Sequence, residues 1–310
     1  MLARILAGIM LAGLWAGLST TAWQAQAATF HPRLDKSEWQ VEASIFECRM
    51  THPIPFYGDA VFRRRAGEAS RFHLDSKSPR LKTGKASLVS ETPMWRPGLK
   101  PKAMAMVDVK QGSKPVQLGS GLTERMLAEL HNGRKVVVTR KPWYGADESV
   151  QVSMSSVNFR AAYRRYLDCL GSLLPVNFDQ IKRTAIYFPS GSDELKPSEM
   201  QKLDNIITYV KADPTIEAFY IDGHTDSVGK RSDNLELSKH RAEMVSEYLS
   251  LKGVPKDKIT TRWHGERYQV SSNRTRKGRA KNRRVTIRLE KAGAPKVPRL
   301  ARGNVRTGAQ

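Results

Sequence analysis

The chain has little with which to span a membrane or hold a metal. No internal apolar run reaches the roughly 18 residues of a spanning helix, which excludes a polytopic membrane protein. Two cysteines in 310 residues are too few for a disulfide-built miniprotein or a cysteine-rich zinc module. The seven histidines are scattered without metal-ligand spacing. Gly-x-Ser-x-Gly, Walker and His-Glu-x-x-His patterns are all missing, so neither an enzyme, a metal site nor a cofactor is expected. Three motifs of penicillin-binding enzymes occur, Ser227-Val-Gly-Lys230, Ser232-Asp-Asn234 and Lys82-Thr-Gly84. Their order is wrong and two nearly touch, which marks coincidence. Acidic residues are also scarce: 30 against 52 Lys+Arg, for a net charge of +22. That balance calls for an anionic partner, with nucleic acid the first to consider. What is present is 40% hydrophobic and 8% aromatic residues, enough to bury cores in two ordinary domains.

Residues 1–27 read as an export signal. Met1 and Arg4 precede an apolar stretch from Ile5 to Leu18, and Ala25-Gln26-Ala27 supplies a small-x-small cleavage pattern. Cleavage is expected after Ala27, and the shortness of the apolar run speaks against an uncleaved anchor. No cysteine lies near the cleavage point, which argues against a lipoprotein. Export to the periplasm removes nucleic acid as a partner and leaves the anions of the envelope, lipid headgroups and peptidoglycan carboxylates. An oxidising compartment also favours pairing Cys48 with Cys169, the alternative being two buried free thiols. Such a link would restrict the unfolded chain by about 4–5 kcal/mol in the loop-entropy model.

Residues 28–172 read mainly as strands. Glu38–Glu47 alternates, with Trp39, Val41, Ala43 and Ile45 on one face. Further strands are expected at Ala60–Phe62, Arg71–Leu74, Ala86–Ser90, Ala103–Val109, Lys135–Thr139 and Val150–Met154, with Pro53, Pro55 and Pro79 among the turn residues. Helices are expected at Thr123–His131, capped by Thr123, and at Ala161–Leu170. Residues 176–290 change rhythm. Strands at Thr184–Phe188, Ala218–Ile221, Ile259–Trp263 and Arg284–Leu289 alternate with two helices. One opens on a capping box at Ser198–Gln201; the other covers Asp233–Lys252 and stops at Gly253. The fold class expected is α+β: a mainly antiparallel β domain followed by an α/β sandwich with helices on one face, then a basic tail at 291–310. Much of the second domain's charge lies between Arg274 and Arg288, eight basic residues with no acid. A solvated basic face is the plain reading of such a run.

The informative constellation is Ile221-Asp-Gly-His-Thr-Asp226, then Asn234, Leu237-Ser238, Arg241-Ala242 and Asn282-Arg-Arg-Val285. Asp226 falls where a strand opens into a loop, and Arg241 lies one to two turns inside the next helix. A strand–helix hairpin can bring the two side chains to one pocket. A carboxylate for an ammonium and a guanidinium for a carboxylate suit a zwitterion. On the residues alone, a structural salt bridge between them is the alternative. His224 and His240 border the pocket and read as hydrogen-bonding scaffold.

The ordered set Gly223-His-Thr-Asp226, Gly229, Asn234, Leu237-Ser238, Arg241-Ala242, Gly265, Asn273, Gly278-Arg279 and Asn282-Arg-Arg-Val285 resembles the OmpA-like peptidoglycan-binding domain. That resemblance implies that Asp226 and Arg241 hold the diaminopimelate side chain of the stem peptide, and that Asn234, Leu237 and Arg283 line or support the pocket. Gln269 and Lys277 depart from the common pattern, which has proline at the first and often an acid at the second.

In the first domain, Glu47-Cys48, Thr51-His-Pro-Ile-Pro55, Gly58-Asp-Ala-Val-Phe62, Pro93-Met-Trp-Arg-Pro-Gly98, Ser155-Ser156-Val157 and Asp168-Cys169 resemble the MotY family of flagellar motor proteins. The family implies a periplasmic ring component. Its first domain would meet the flagellar basal body and a MotX-like partner, its second would grip peptidoglycan, and together they would help position the stator. Its disulfide positions coincide with Cys48 and Cys169. The other reading is a general peptidoglycan-binding envelope anchor with no link to the flagellum.

Overall fold

The computed structural model describes residues 28–78, 80–92, 100–145 and 148–293. The export segment, Pro79, the Pro93–Gly98 motif with Trp95, and most of the basic tail lie outside them.

Ten strands form one sheet: β1 (Ala28–Phe30), β2 (Gln40–Ala43), β3 (Glu47–Ile54), β4 (Gly58–Arg65), β5 (Arg71–Ser76), β6 (Gly84–Glu91), β7 (Lys102–Val109), β8 (Val116–Leu118), β9 (Lys135–Arg140) and β10 (Val150–Met154). Their order is β1-β10-β9-β6-β7-β8-β5-β4-β3-β2, antiparallel throughout except for β1 beside β10. Helices α1 (Ser120–His131) and α2 (Phe159–Ser172) pack on its apolar face. β3 shows why the face forms: Cys48, Met50, His52 and Ile54 are buried at every second position.

The sheet curls until its two ends meet. Ser155, just past β10, donates its backbone N–H to His52 Nε2 at 3.2 Å. The other imidazole nitrogen, Nδ1, donates to the Glu38 carbonyl at 2.6 Å. Trp39 stacks on the same ring at 4.3 Å and donates its indole N–H to the Ser155 carbonyl at 3.1 Å. An imidazole that accepts on one side and donates on the other must be neutral, and burial pushes the His52 pKa down to about 4. Nearby, Cys48 in β3 is joined to Cys169 in α2, with Cα atoms 5.9 Å apart.

Four local expectations need correction. Glu38–Glu47 is not one strand, because Ser44 Oγ accepts the N–H groups of Phe46 and Glu47 and folds β2 back onto β3. Ile45 therefore sits on the turn, 40% exposed, and Pro53 lies inside β3 instead of ending it. Thr123 does not cap α1: its hydroxyl donates to the Gly119 carbonyl from inside the first turn. Ser198 does not cap the long helix Pro197–Ala212, which opens on Pro197 with Lys196 before it.

The second unit is a four-stranded sheet of β11 (Arg183–Tyr187), β12 (Ile216–His224), β13 (Ile259–Trp263) and β14 (Arg284–Lys291), in the order β11-β14-β12-β13. Helices α4 (Pro197–Ala212) and α5 (Arg231–Leu251) bury Leu203, Ile206, Val245 and Leu249 against Phe219, Ile221, Val285 and Ile287. Two short helices complete it, α3 (Phe178–Ile181) and α6 (Arg276–Asn282), neither marked by an apolar period. The capping box sits on α3, where Asn177 and Gln180 bond reciprocally. Asn177 and Gln180 also reach the Ala66 and Gly67 carbonyls, Arg65 pairs with Asp179 at 2.7 Å, and Phe46 packs on Tyr209. These contacts fasten the second unit to the β3 and β4 ends of the first.

Candidate functional site

The site is built where β12 and α5 approach unusually closely. A Cβ on Gly223 would collide with the Ser238 carbonyl oxygen and press on Ala242, so only glycine lets the helix lie against the strand end. The Ser238 hydroxyl, trapped there, accepts the Gly265 N–H at 2.9 Å, and Gly265 in turn accepts the Thr225 N–H at 2.9 Å. Asn282, fully buried, accepts from the N–H groups of Val270 and Ser271 and donates to Ser271 and Asn273. The loops after β12 and β13 are thereby locked around one spot.

Asp226 and Arg241 are both brought to it and both covered, at 4% and 0% exposure. They are not each other's direct partners. Asp226 Oδ2 accepts from Arg283 Nη1 at 2.8 Å, and Oδ1 accepts the Val228 N–H at 3.2 Å. Arg283 is itself held by the Phe188 carbonyl at 3.2 Å. Arg241 donates through Nε and Nη2 to the Ser192 carbonyl, and through Nη2 to the Pro189 carbonyl at 3.0 Å, with Phe188 stacked 5.0 Å from its guanidinium. Burial, followed by the charge of Arg283, lowers its pKa to about 10, while Asp226 and Asp193 act to raise it. It remains a cation at neutral pH.

Three polar groups clustered at this spot are left over after folding. Arg241 Nη1, Thr225 Oγ1 and His224 Nδ1 are buried with no hydrogen-bond partner in the protein. Such groups cost about 1–3 kcal/mol each when they stay unmatched. Desolvation, helped by Arg284 and His264, lowers the His224 pKa to about 3, so its ring, stacked on His264 at 5.1 Å, is neutral.

Asn234 is buried at the start of α5 and donates to Glu266 at 3.0 Å, a wall contact; Leu237 is half-buried on the same helix. His240 points away and pairs with Glu236. The sequence reading missed the loop of Pro189 and Ser192, whose carbonyls hold Arg241. Its one signal was the Pro-Ser-Gly-Ser turn immediately after β11. Glu266 carried no signal.

Comparison with known proteins adds to this geometry. Residues 30–175 match the MotY N-terminal domain and residues 187–283 match the OmpA family. Over 289 residues, 92% of this chain and 97% of the relative, the sequence is 32% identical to the sodium-type flagellar protein MotY of Vibrio parahaemolyticus. Over 102 residues, 33% of this chain and 31% of the relative, it is 38% identical to the peptidoglycan-binding protein ArfA of Mycobacterium tuberculosis. Among solved structures, the peptidoglycan-associated lipoprotein of Burkholderia pseudomallei is 28% identical over 34% of this chain and 89% of that one, with a TM-score of 0.33.

Proposed function

The chain belongs to the MotY family, and from that premise we propose that it is a periplasmic component of the flagellar motor that couples the basal body to peptidoglycan. The ten-stranded unit is the part that meets the basal body and a MotX-like partner, helping to position the stator. The four-stranded unit is the anchor. Family membership sets it among structural proteins rather than enzymes.

The observation that carries the anchoring role is a buried carboxylate beside a buried guanidinium that keeps one nitrogen unpartnered. A diaminopimelate side chain ends in an ammonium and a carboxylate on one carbon. Asp226 would receive the ammonium. Its two oxygens have lone-pair capacity beyond the Val228 and Arg283 bonds, so Arg283 can stay in place and steady it. Arg241 Nη1 would donate to the carboxylate, with Thr225 Oγ1 available beside it. Matching both charges at once gives the selectivity, because a ligand with only one leaves the other buried and unpaired. Leu237 and Asn234 would bound the ligand's methylenes.

The test is co-sedimentation of the mature chain with purified peptidoglycan. Asp226→Ala and Arg241→Ala should each abolish it. Arg241 also holds the β11–α4 loop, so Asp226→Asn, which keeps the shape, is the cleaner variant, with circular dichroism as a folding check. Undiminished sedimentation of a folded Asp226→Asn protein would remove the pocket. For the motor role, deletion of the gene should leave assembled flagella that rotate weakly or not at all. Normal swimming would favour an envelope anchor unconnected to the flagellum.

A further inference from the structure

The wall of the candidate pocket runs on into a strip of surface that the pocket does not explain. Helix α6 turns Gly278 and Asn282 inward. A Cβ at Gly278 would meet the Ser272 carbonyl oxygen, and Asn282 is stapled to the loop before it. That seating turns Arg274, Arg276, Lys277 and Lys281 out to solvent, with Lys277 and Lys281 one turn apart on the same side. No described residue forms an ion pair or hydrogen bond with any of these four side chains. Like charges held this close oppose folding, and from Arg274 to Arg288 the chain has no acid to offset them. Two residues past Lys281, Arg283 reaches into the pocket and touches Asp226 at 2.8 Å. The strip therefore begins at the pocket wall and extends along a helix about 10 Å long.

We propose that Arg274, Arg276, Lys277 and Lys281 form a docking rail for further carboxylates of the same polymer whose zwitterionic side chain enters the pocket. The identity of that polymer, a peptidoglycan with carboxylates on its stem peptides, rests on the reading given under Proposed function. Charge complementarity selects the occupant: a chain molecule carrying repeated carboxylates presents further anions once one stem peptide is seated. Cations on long flexible stems can meet those anions without fixed geometry. Each contact is weak and screened by salt, but contacts made by an already tethered polymer add to its retention.

The experiment compares the mature wild-type chain with the variant R274Q/R276Q/K277Q/K281Q, whose changes are all on exposed side chains. Co-sedimentation with purified peptidoglycan is measured from low to high NaCl. The variant should bind roughly tenfold more weakly at low salt, as expected for several exposed ion pairs acting together. It should lose most of the salt dependence and converge with wild type at high salt. Peptidoglycan whose carboxylates have been amidated should bind wild type no better than it binds the variant. Equal affinity and equal salt dependence of the two proteins would overturn the rail. So would a rail used elsewhere: vesicles containing phosphatidylglycerol capturing wild type but not the variant, with peptidoglycan binding the same for both. Failure of the pocket reading looks different, since Asp226→Asn would then bind like wild type while the rail variant could still lose its salt-dependent part.

Discussion

Of the three buried imidazoles, His52, His73 and His224, the first and the last mark two kinds of polar interior. His52 stands where the ends of the ten-stranded sheet meet, and both of its nitrogens are used, one by Ser155 and one by Glu38. His224 stands beside the candidate pocket, and its Nδ1 has no partner, like Thr225 Oγ1 and Arg241 Nη1 around it. Burial keeps both rings neutral, one at about 4 and the other at about 3. The difference lies in closure. At the seam both ring nitrogens are satisfied within the chain, so His52 specifies a structure and has nothing left to offer. At the pocket the fold stops short of satisfying its own groups, which is what a site waiting for a polar ligand requires.

Perturbing each region should separate stability from binding. The largest effect is expected from removing the Cys48–Cys169 link beside the seam. Replacing both cysteines by serine should cost about 4–5 kcal/mol in urea unfolding if loop entropy governs its contribution. A protein that unfolds at an unchanged urea concentration would show that the seam holds the sheet without help. Next comes His52→Ala, which strands the Ser155 N–H and the Glu38 carbonyl and opens a hole under Trp39. A loss of about 3 kcal/mol is expected, with peptidoglycan sedimentation unchanged in the protein that remains folded.

The seam also predicts a pH dependence whose sign follows from burial. An unfolded histidine binds its proton near pH 6.5, whereas folded His52 does so only near 4. Stability should be full above pH 6.5 and fall as pH drops toward 4, by about 1.4 kcal/mol per unit for that group. His224 adds a decline of the same sign. His52→Ala should flatten the slope of the urea midpoint against pH in this window, and an unaltered slope would assign the acid sensitivity elsewhere. At the pocket the balance reverses. Asp226→Asn loses a charge-assisted bond to Arg283, worth about 1–3 kcal/mol of stability, but should lose peptidoglycan binding altogether.

Much of this was legible in the sequence, and unevenly so. Strands β4 to β7, β9 and β10 were legible because alternation is a local signal, and Val150–Met154 and Ile259–Trp263 match to the residue. β2 and β3 merged because their turn rests on a single hydroxyl, Ser44, inside an uninterrupted alternation. The members of the site were legible as a motif, since Gly223, Ser238 and Asn282 are forced by backbone approaches that admit few other residues. Their pairing was not. Spacing placed Asp226 and Arg241 in one neighbourhood, but only the loops after β11 and α6 decide that Arg283 takes the carboxylate and that carbonyls take Arg241. Charges meet through tertiary geometry, which a one-dimensional pattern does not carry.

The smallest expected effect tests whether the rail and the pocket are mechanically one. Thr275 caps α6 by accepting the Gly278 N–H at 3.0 Å, and α6 carries Arg276, Lys277 and Lys281 of the rail and, at its end, Arg283. Thr275→Ala should cost about 1 kcal/mol as a lost cap. The side chain is exposed and distant from Asp226 along the chain, so a merely local fraying would leave zwitterion binding intact and soften only the salt-dependent contribution of the rail. If the helix instead positions Arg283, the variant should also weaken binding of a single soluble stem peptide, which is too short to use the rail. That outcome would join the two features into one site governed by a seven-residue helix; retention of stem-peptide affinity with reduced polymer affinity would keep them separable.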